Sequence, residues 1–121
     1  MKIRTLSTIA LITSGGMAMA EGDPAKGERV FKKCSSCHAI EEGKRKLGPS
    51  LFGIVGRDAG SVEDFKYSKP MAAADFAWEE QTLTGFLENP KKYMKGTKMA
   101  FPGIKKEEDM ANLLAYLSTL Q

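Results

Sequence analysis

Apolar positions recur at helical spacing in three stretches of the chain. In the first, Gly27, Val30 and Phe31 share one face downstream of Asp23-Pro24. Aspartate caps a helix N-terminus well, and proline suits the first helical position, where no N–H is needed. A helix is therefore predicted from Asp23-Pro24 toward Cys34. In the second stretch, 79–89, Leu83, Phe86 and Leu87 lie on one face and Pro90 marks the stop. In the third, 106–120, Met110, Leu113, Leu114 and Leu117 form an apolar stripe. The acids at 107–109 suit the positive end of that helix. No segment alternates apolar and polar residues as a half-buried strand would. The pattern predicts an all-α domain with long Gly- and Pro-containing loops at 43–60 and 95–103. Loops of that length in so small a domain imply an organiser other than backbone pairing.

The first 20 of the 121 residues fit a different pattern. Lys2 and Arg4 give a positive start, and an apolar run at 5–13 follows, too short to span a bilayer. Ala18-Met19-Ala20 then places small residues at the spacing that signal peptidase requires. Residues 1–20 are expected to be a cleaved secretory signal peptide, and 21–121 a single exported domain located in the periplasm. The alternative is an uncleaved anchor, which the short run broken by Ser14-Gly15-Gly16 disfavours. The remaining chain supports one small core, which a large apolar cofactor would help to fill.

Charge excludes one class of function. The chain has 18 Lys and Arg against 15 Asp and Glu. Lys2 and Arg4 leave with the leader, so the domain is near neutral. No global basic field points to nucleic acid. The charges are unevenly placed, however, with lysines at 32–33, 91–92, 95, 98 and 105–106 and acids at 41–42, 63–64, 79–80 and 107–109.

The only two cysteines and the only histidine fall within five residues, Cys34-Ser35-Ser36-Cys37-His38. This is the attachment pattern of haem c. Two thiols three positions apart can each form a thioether with one of the two haem vinyl groups. The next residue, His38, is then held beneath the iron, and tethering lowers the entropy cost of bringing it there. A thioredoxin-like pair would need a βαβ context, which is absent. A zinc site would need another strong ligand, and no further Cys or His exists. One histidine leaves the sixth iron position to another residue or open. Met71, Met94, Met99 and Met110 are the methionines outside the leader. Met110 lies on the apolar stripe and reads as core, and Met71 as a gap filler. Met94 and Met99, in the loop before the last helix, both remain candidates from spacing, with a slight preference for Met99.

Gly96-Thr97-Lys98-Met99-Ala100-Phe101-Pro102-Gly103 resembles the methionine-ligand loop of class I cytochromes c, and Leu87-Glu88-Asn89-Pro90-Lys91-Lys92-Tyr93 matches the segment before it. The chain is similar to this family, close to its mitochondrial and bacterial "c-two" members, over residues 22–120. The resemblance implies a small all-α fold with N- and C-terminal helices packed together and loops wrapped around one covalent haem. It implies Met99 as the sixth ligand opposite His38. It places the Pro49 carbonyl on the far ring N–H of His38, a bond that orients the imidazole. Arg57, Tyr67 and Trp78 match positions that hydrogen-bond the propionates, and Thr97 and Phe101 match further pocket positions, Phe101 shielding the haem edge. Gly27, Phe31 and Tyr116 match the contact between the terminal helices. Two departures are visible. Phe86 stands where the family often has tyrosine, and Met71 where asparagine is common. Pro102 stiffens the loop after Phe101.

A thioether ligand favours reduced iron, and six ligands leave no open position for substrate. The expected role is therefore a periplasmic electron carrier and not an enzyme. It would shuttle electrons between a quinol-oxidising complex of the bc type and a terminal oxidase, photosynthetic reaction centre or reductase. In the resembled fold Lys32, Lys33, Lys91, Lys92, Lys95, Lys98 and Lys105 surround the haem edge and would steer it to acidic partners. The molecule is expected to be a monomer, with neither nucleic acid nor a permanent membrane anchor. The alternative is a haem peroxidase or ligand-binding cytochrome, which needs an open or easily vacated sixth position. A dedicated subunit of one periplasmic dehydrogenase ranks lower, since no extension is present for permanent docking.

Overall fold

A computed structural model describes residues 22–121, so the expected leader at 1–20 lies outside the described residues. Five helices are present among them: α1 (Pro24–Phe31), α2 (Lys69–Ala72), α3 (Glu80–Glu88), α4 (Pro90–Tyr93) and α5 (Glu107–Leu117). The only extended pairing among the described residues is an isolated antiparallel bridge between Asp58 and Ala77. The expected all-α class is what the chain adopts.

The three expected helices form, with ends governed by local chemistry. Asp23 caps α1, its carboxylate accepting from the Ala25 amide at 2.9 Å, and Pro24 takes the first helical position. Thr82 fixes the start of α3, accepting from the Glu79 amide at 2.8 Å and donating to the Ala77 carbonyl at 2.7 Å. α5 carries Glu107, Glu108 and Asp109 in its first turn, where the helix dipole favours anions. It ends at Leu117, three residues short of the predicted limit, because the chain turns at Ser118. Pro90 does stop α3, but it also opens α4, with the Asn89 side chain accepting from the Lys92 amide. A residue that cannot continue one helix is well suited to begin the next. α2 and α4 were not foreseen; at four residues each they are too short to show a period.

The principal helix contact is between α1 and α5. Gly27 makes it possible, since a Cβ there would overlap the backbone carbonyl of Asn112. Phe31 meets Tyr116 with ring centroids 5.4 Å apart, and Asn112 Oδ1 accepts from the Asp23 amide at 2.8 Å. Leu113, Leu114 and Leu117 of α5 join Leu83, Phe86 and Leu87 of α3 in one core with Ile104, Trp78 and Phe31.

The long loops are more organised by backbone pairing than the sequence suggested. Leu51 N donates to Ala39 O, Gly53 N to Leu120 O, Gly56 N to Trp78 O and Ala59 N to Phe76 O, at 2.5–2.9 Å. Trp78 N returns to Arg57 O at 2.8 Å. These bonds run between loops, so the polar backbone is satisfied without a sheet.

Two stability predictions follow from this packing. Gly27→Ala forces the α1–α5 contact apart and is expected to remove about 3 kcal/mol. Leu113→Ala, at a side chain only 1% exposed, should remove about 2–5 kcal/mol. Guanidinium unfolding should show both as lower midpoints with unchanged m values, and a wild-type midpoint in either would contradict the assigned packing.

Candidate functional site

The turn that leaves α1 carries the cysteine motif. Cys34 N and Ser35 N both donate to Phe31 O, and Cys37 N and His38 N both donate to Cys34 O, at 2.7–3.1 Å. This helical winding puts positions three apart on one side of the chain. Cys34 and Cys37 are not joined in a disulfide; the first is buried and the second half-buried. Burial pushes the Cys34 thiol pKa up, with Lys33 opposing the shift.

His38 Nδ1 lies 2.8 Å from the Pro49 carbonyl oxygen. A carbonyl only accepts, so Nδ1 carries the proton and Nε2 keeps its lone pair. Burial lowers the His38 pKa, and Arg57 lowers it further, against the Pro49 bond, which raises it. The ring is thus held neutral, the form that binds metal. Gly48 lies flat against the imidazole, and a Cβ there would overlap the ring. Among the described residues no group of three or more His, Cys, Asp or Glu is placed to hold a metal ion. His38 has no companions for a zinc-type centre.

The other expected pocket residues come from the stitched loops. Arg57 is half-buried and donates to the carbonyls of Ser50, at 2.9 Å, and Phe52. It forms no ion pair among the described residues. Burial lowers its pKa, and Tyr67 acts in the opposite sense. The Tyr67 hydroxyl accepts from the Val62 amide at 3.1 Å, which leaves its own proton to donate. Trp78 is buried against Phe86 and Phe76, with ring centroids 5.1 Å away in both cases. Among the described residues no protein acceptor pairs its indole N–H, yet no buried polar side-chain atom is sealed without a partner.

The methionines separate by burial. Met94 and Met110 lie within the core, whereas Met99 and Phe101 are half-buried against its edge, as is Met71 on α2. Met94 N donates to Pro90 O at 2.9 Å, tying that residue to the end of α4. Thr97 Oγ1 accepts from the Met99 amide at 3.3 Å and shapes the loop around it. Phe86 is buried between Trp78 and Tyr93. Gly48 and the carbonyls of Ser50 and Phe52 were not singled out in the sequence. The Gly48-Pro49 pair was the available signal for the first; carbonyl partners leave no mark on residue type.

Two cysteines on one side, a neutral imidazole with a free nitrogen, an arginine without an ion-pair partner, and Tyr and Trp donors fit one haem with two propionates. Comparison with known proteins agrees. A cytochrome c family profile matches residues 24–121. Cytochrome c2 from Agrobacterium tumefaciens (strain II Chrys) is 54% identical over 101 residues, covering 80% of this chain and 91% of that protein. Cytochrome c-554 from Methylosinus trichosporium is 45% identical over 113 residues, covering 93% and 86%. The solved structure of cytochrome cH from Methylobacterium extorquens superposes with a TM-score of 0.77 at 38% identity, covering 81% of this chain and 99% of that one. The attachment motif, the fold around it and these likenesses together establish that the chain belongs to the electron-carrying cytochrome c family and binds one covalent haem c.

Proposed function

We propose that this protein is a periplasmic shuttle for single electrons, in which His38 and Met99 would hold the haem iron. Bound haem supplies a one-electron couple at its iron. The observation that carries the assignment is the 2.8 Å bond from His38 Nδ1 to Pro49 O. It spends one ring nitrogen on the protein and leaves the other for the metal.

Met99 is the better of the two loop methionines. Its side chain lies at the edge of the core, while that of Met94 is enclosed within it. A thioether ligand from Met99 would favour the reduced iron and leave no place for a substrate, which suits a carrier of electrons. Arg57, Tyr67 and Trp78 would hold the propionates, and Thr97 and Phe101 would line the methionine side. Neutralising a propionate would also give the half-buried Arg57 the counter-charge it lacks.

Lys32, Lys33, Lys91, Lys92, Lys95, Lys98 and Lys105 are all exposed. Lys105 donates to the Glu88 carbonyl at 2.7 Å, which leaves its charge uncancelled. On a near-neutral domain these lysines make a dipole that would steer the molecule to acidic faces of membrane redox complexes. Those partners are a bc-type quinol-oxidising donor and a terminal oxidase, reaction centre or reductase as acceptor. The leader pattern at 1–20 supports export and cleavage to the domain at 21–121. No helix among the described residues is long and apolar enough to cross a membrane.

Oxidised protein should show the weak far-red absorption band of methionine-to-iron coordination. Met99→Ala should abolish the band and Met94→Ala should leave it intact. High-spin features in the wild type would instead favour a peroxidase or ligand-binding cytochrome. The rate of electron transfer to an acidic redox partner should fall about tenfold or more from low to physiological ionic strength. A salt-independent rate would remove the steering role from the lysines.

A further inference from the structure

Leu47 is 83% exposed, against 43% for Tyr93 and 38% for Ile40, the other large apolar residues on the surface. A single exposed leucine is ordinary on a protein surface. The backbone around this one is not. Lys46 N donates to Gly48 O at 3.2 Å, closing a tight ring around Leu47. Gly48 N donates to Cys37 O at 2.8 Å, and Lys46 Nζ donates to Ser35 O at 2.7 Å. Beneath Gly48 the His38 ring fills the space. The leucine is held outward by bonds to the cysteine motif itself, and the interior on that side is already occupied.

The neighbouring charges favour one kind of partner. Arg45 and Lys46 are exposed, and their donors go to carbonyls, of Asp64 and Ser35 respectively. Neither forms an ion pair among the described residues, so both charges stay available. Lys44 is partly offset by Glu41 at 3.7 Å. An outward apolar residue beside uncancelled cations is complementary to an apolar patch rimmed by carboxylates. Protein interfaces place apolar contacts at the centre and charges at the rim. A side chain on an already ordered backbone loses little entropy on docking.

We infer that Leu47 is an apolar anchor of the surface on which redox-partner proteins dock, seated in a partner patch bordered by acidic side chains. The inference rests on the shuttle function above and adds a contact that the lysines do not provide. Lysine steering sets the encounter rate and weakens with salt. Burial of Leu47 would hold the docked complex at any ionic strength. It would do so two residues from Pro49, whose carbonyl orients the iron-binding histidine.

The test is steady-state kinetics of the haem-loaded protein with a purified bc-type complex and a purified aa3-type oxidase, across a range of ionic strength. Leu47→Ser is expected to raise KM about tenfold with at least one complex. It should leave kcat, the far-red band and the salt dependence unchanged. Leu47→Met should restore the wild-type KM, and Lys46→Gln should alter the salt dependence instead. Wild-type KM for Leu47→Ser with both complexes overturns the anchor while leaving the shuttle standing. Unchanged kinetics with lost binding to vesicles of equal phosphatidylglycerol and phosphatidylcholine assigns the residue to lipid and overturns it too. Failure of the bc-type complex to exchange electrons with the wild type overturns the shuttle and the anchor together.

Discussion

Imidazole has two nitrogens, and a protein can aim one at a metal only by occupying the other. In this molecule the Pro49 carbonyl occupies Nδ1 of His38 at 2.8 Å. The turn after α1 and the 43–60 loop meet at that bond. The turns after α1 hold the histidine at a fixed distance from the two thiols. Gly48 has no side chain because the ring lies where one would go. Burial and Arg57 outweigh the Pro49 bond and keep the ring neutral. A shift of the 43–60 loop would therefore act on the histidine before it acted on anything else.

The parts that could be read from sequence were those with a local signature. The cysteine motif carries its spacing in five residues, and α1, α3 and α5 carry theirs in apolar faces and capping residues. Arg57, Tyr67 and Trp78 are proposed for the haem pocket only through resemblance, since nothing local marks a half-buried arginine. The stitching of the loops was not legible at all. Bonds such as Gly53 N to Leu120 O join distant backbone atoms, which every residue type possesses. α2 and α4 escaped notice because one turn of helix has no period. Pro90 shows how a true local signal can still be half-read: it was both the end of α3 and the start of α4.

The electrostatics follow from segregation rather than from pairing. Lys44 and Glu41 form the sole ion pair among the described residues. Several basic side chains instead spend their donors on carbonyls, as Arg45, Lys46, Arg57 and Lys105 do. Such bonds order the chain without cancelling its charge. Inside, apolar contacts dominate: Phe86 packs on Trp78, and Met71 is half-buried against the core.

The seam between α1 and α5 joins residues 89 positions apart, as the bond from Asp23 to Asn112 shows. Chain entropy makes such a distant closure only slightly costlier than a shorter one, about 0.6 kcal/mol per doubling of the loop. Speed is another matter, because folding slows as contacts become less local. Both helices are too short to persist alone in water and gain their stability from each other. The α1–α5 seam thus joins the two ends of the described residues, and each helix depends on the other to stay folded.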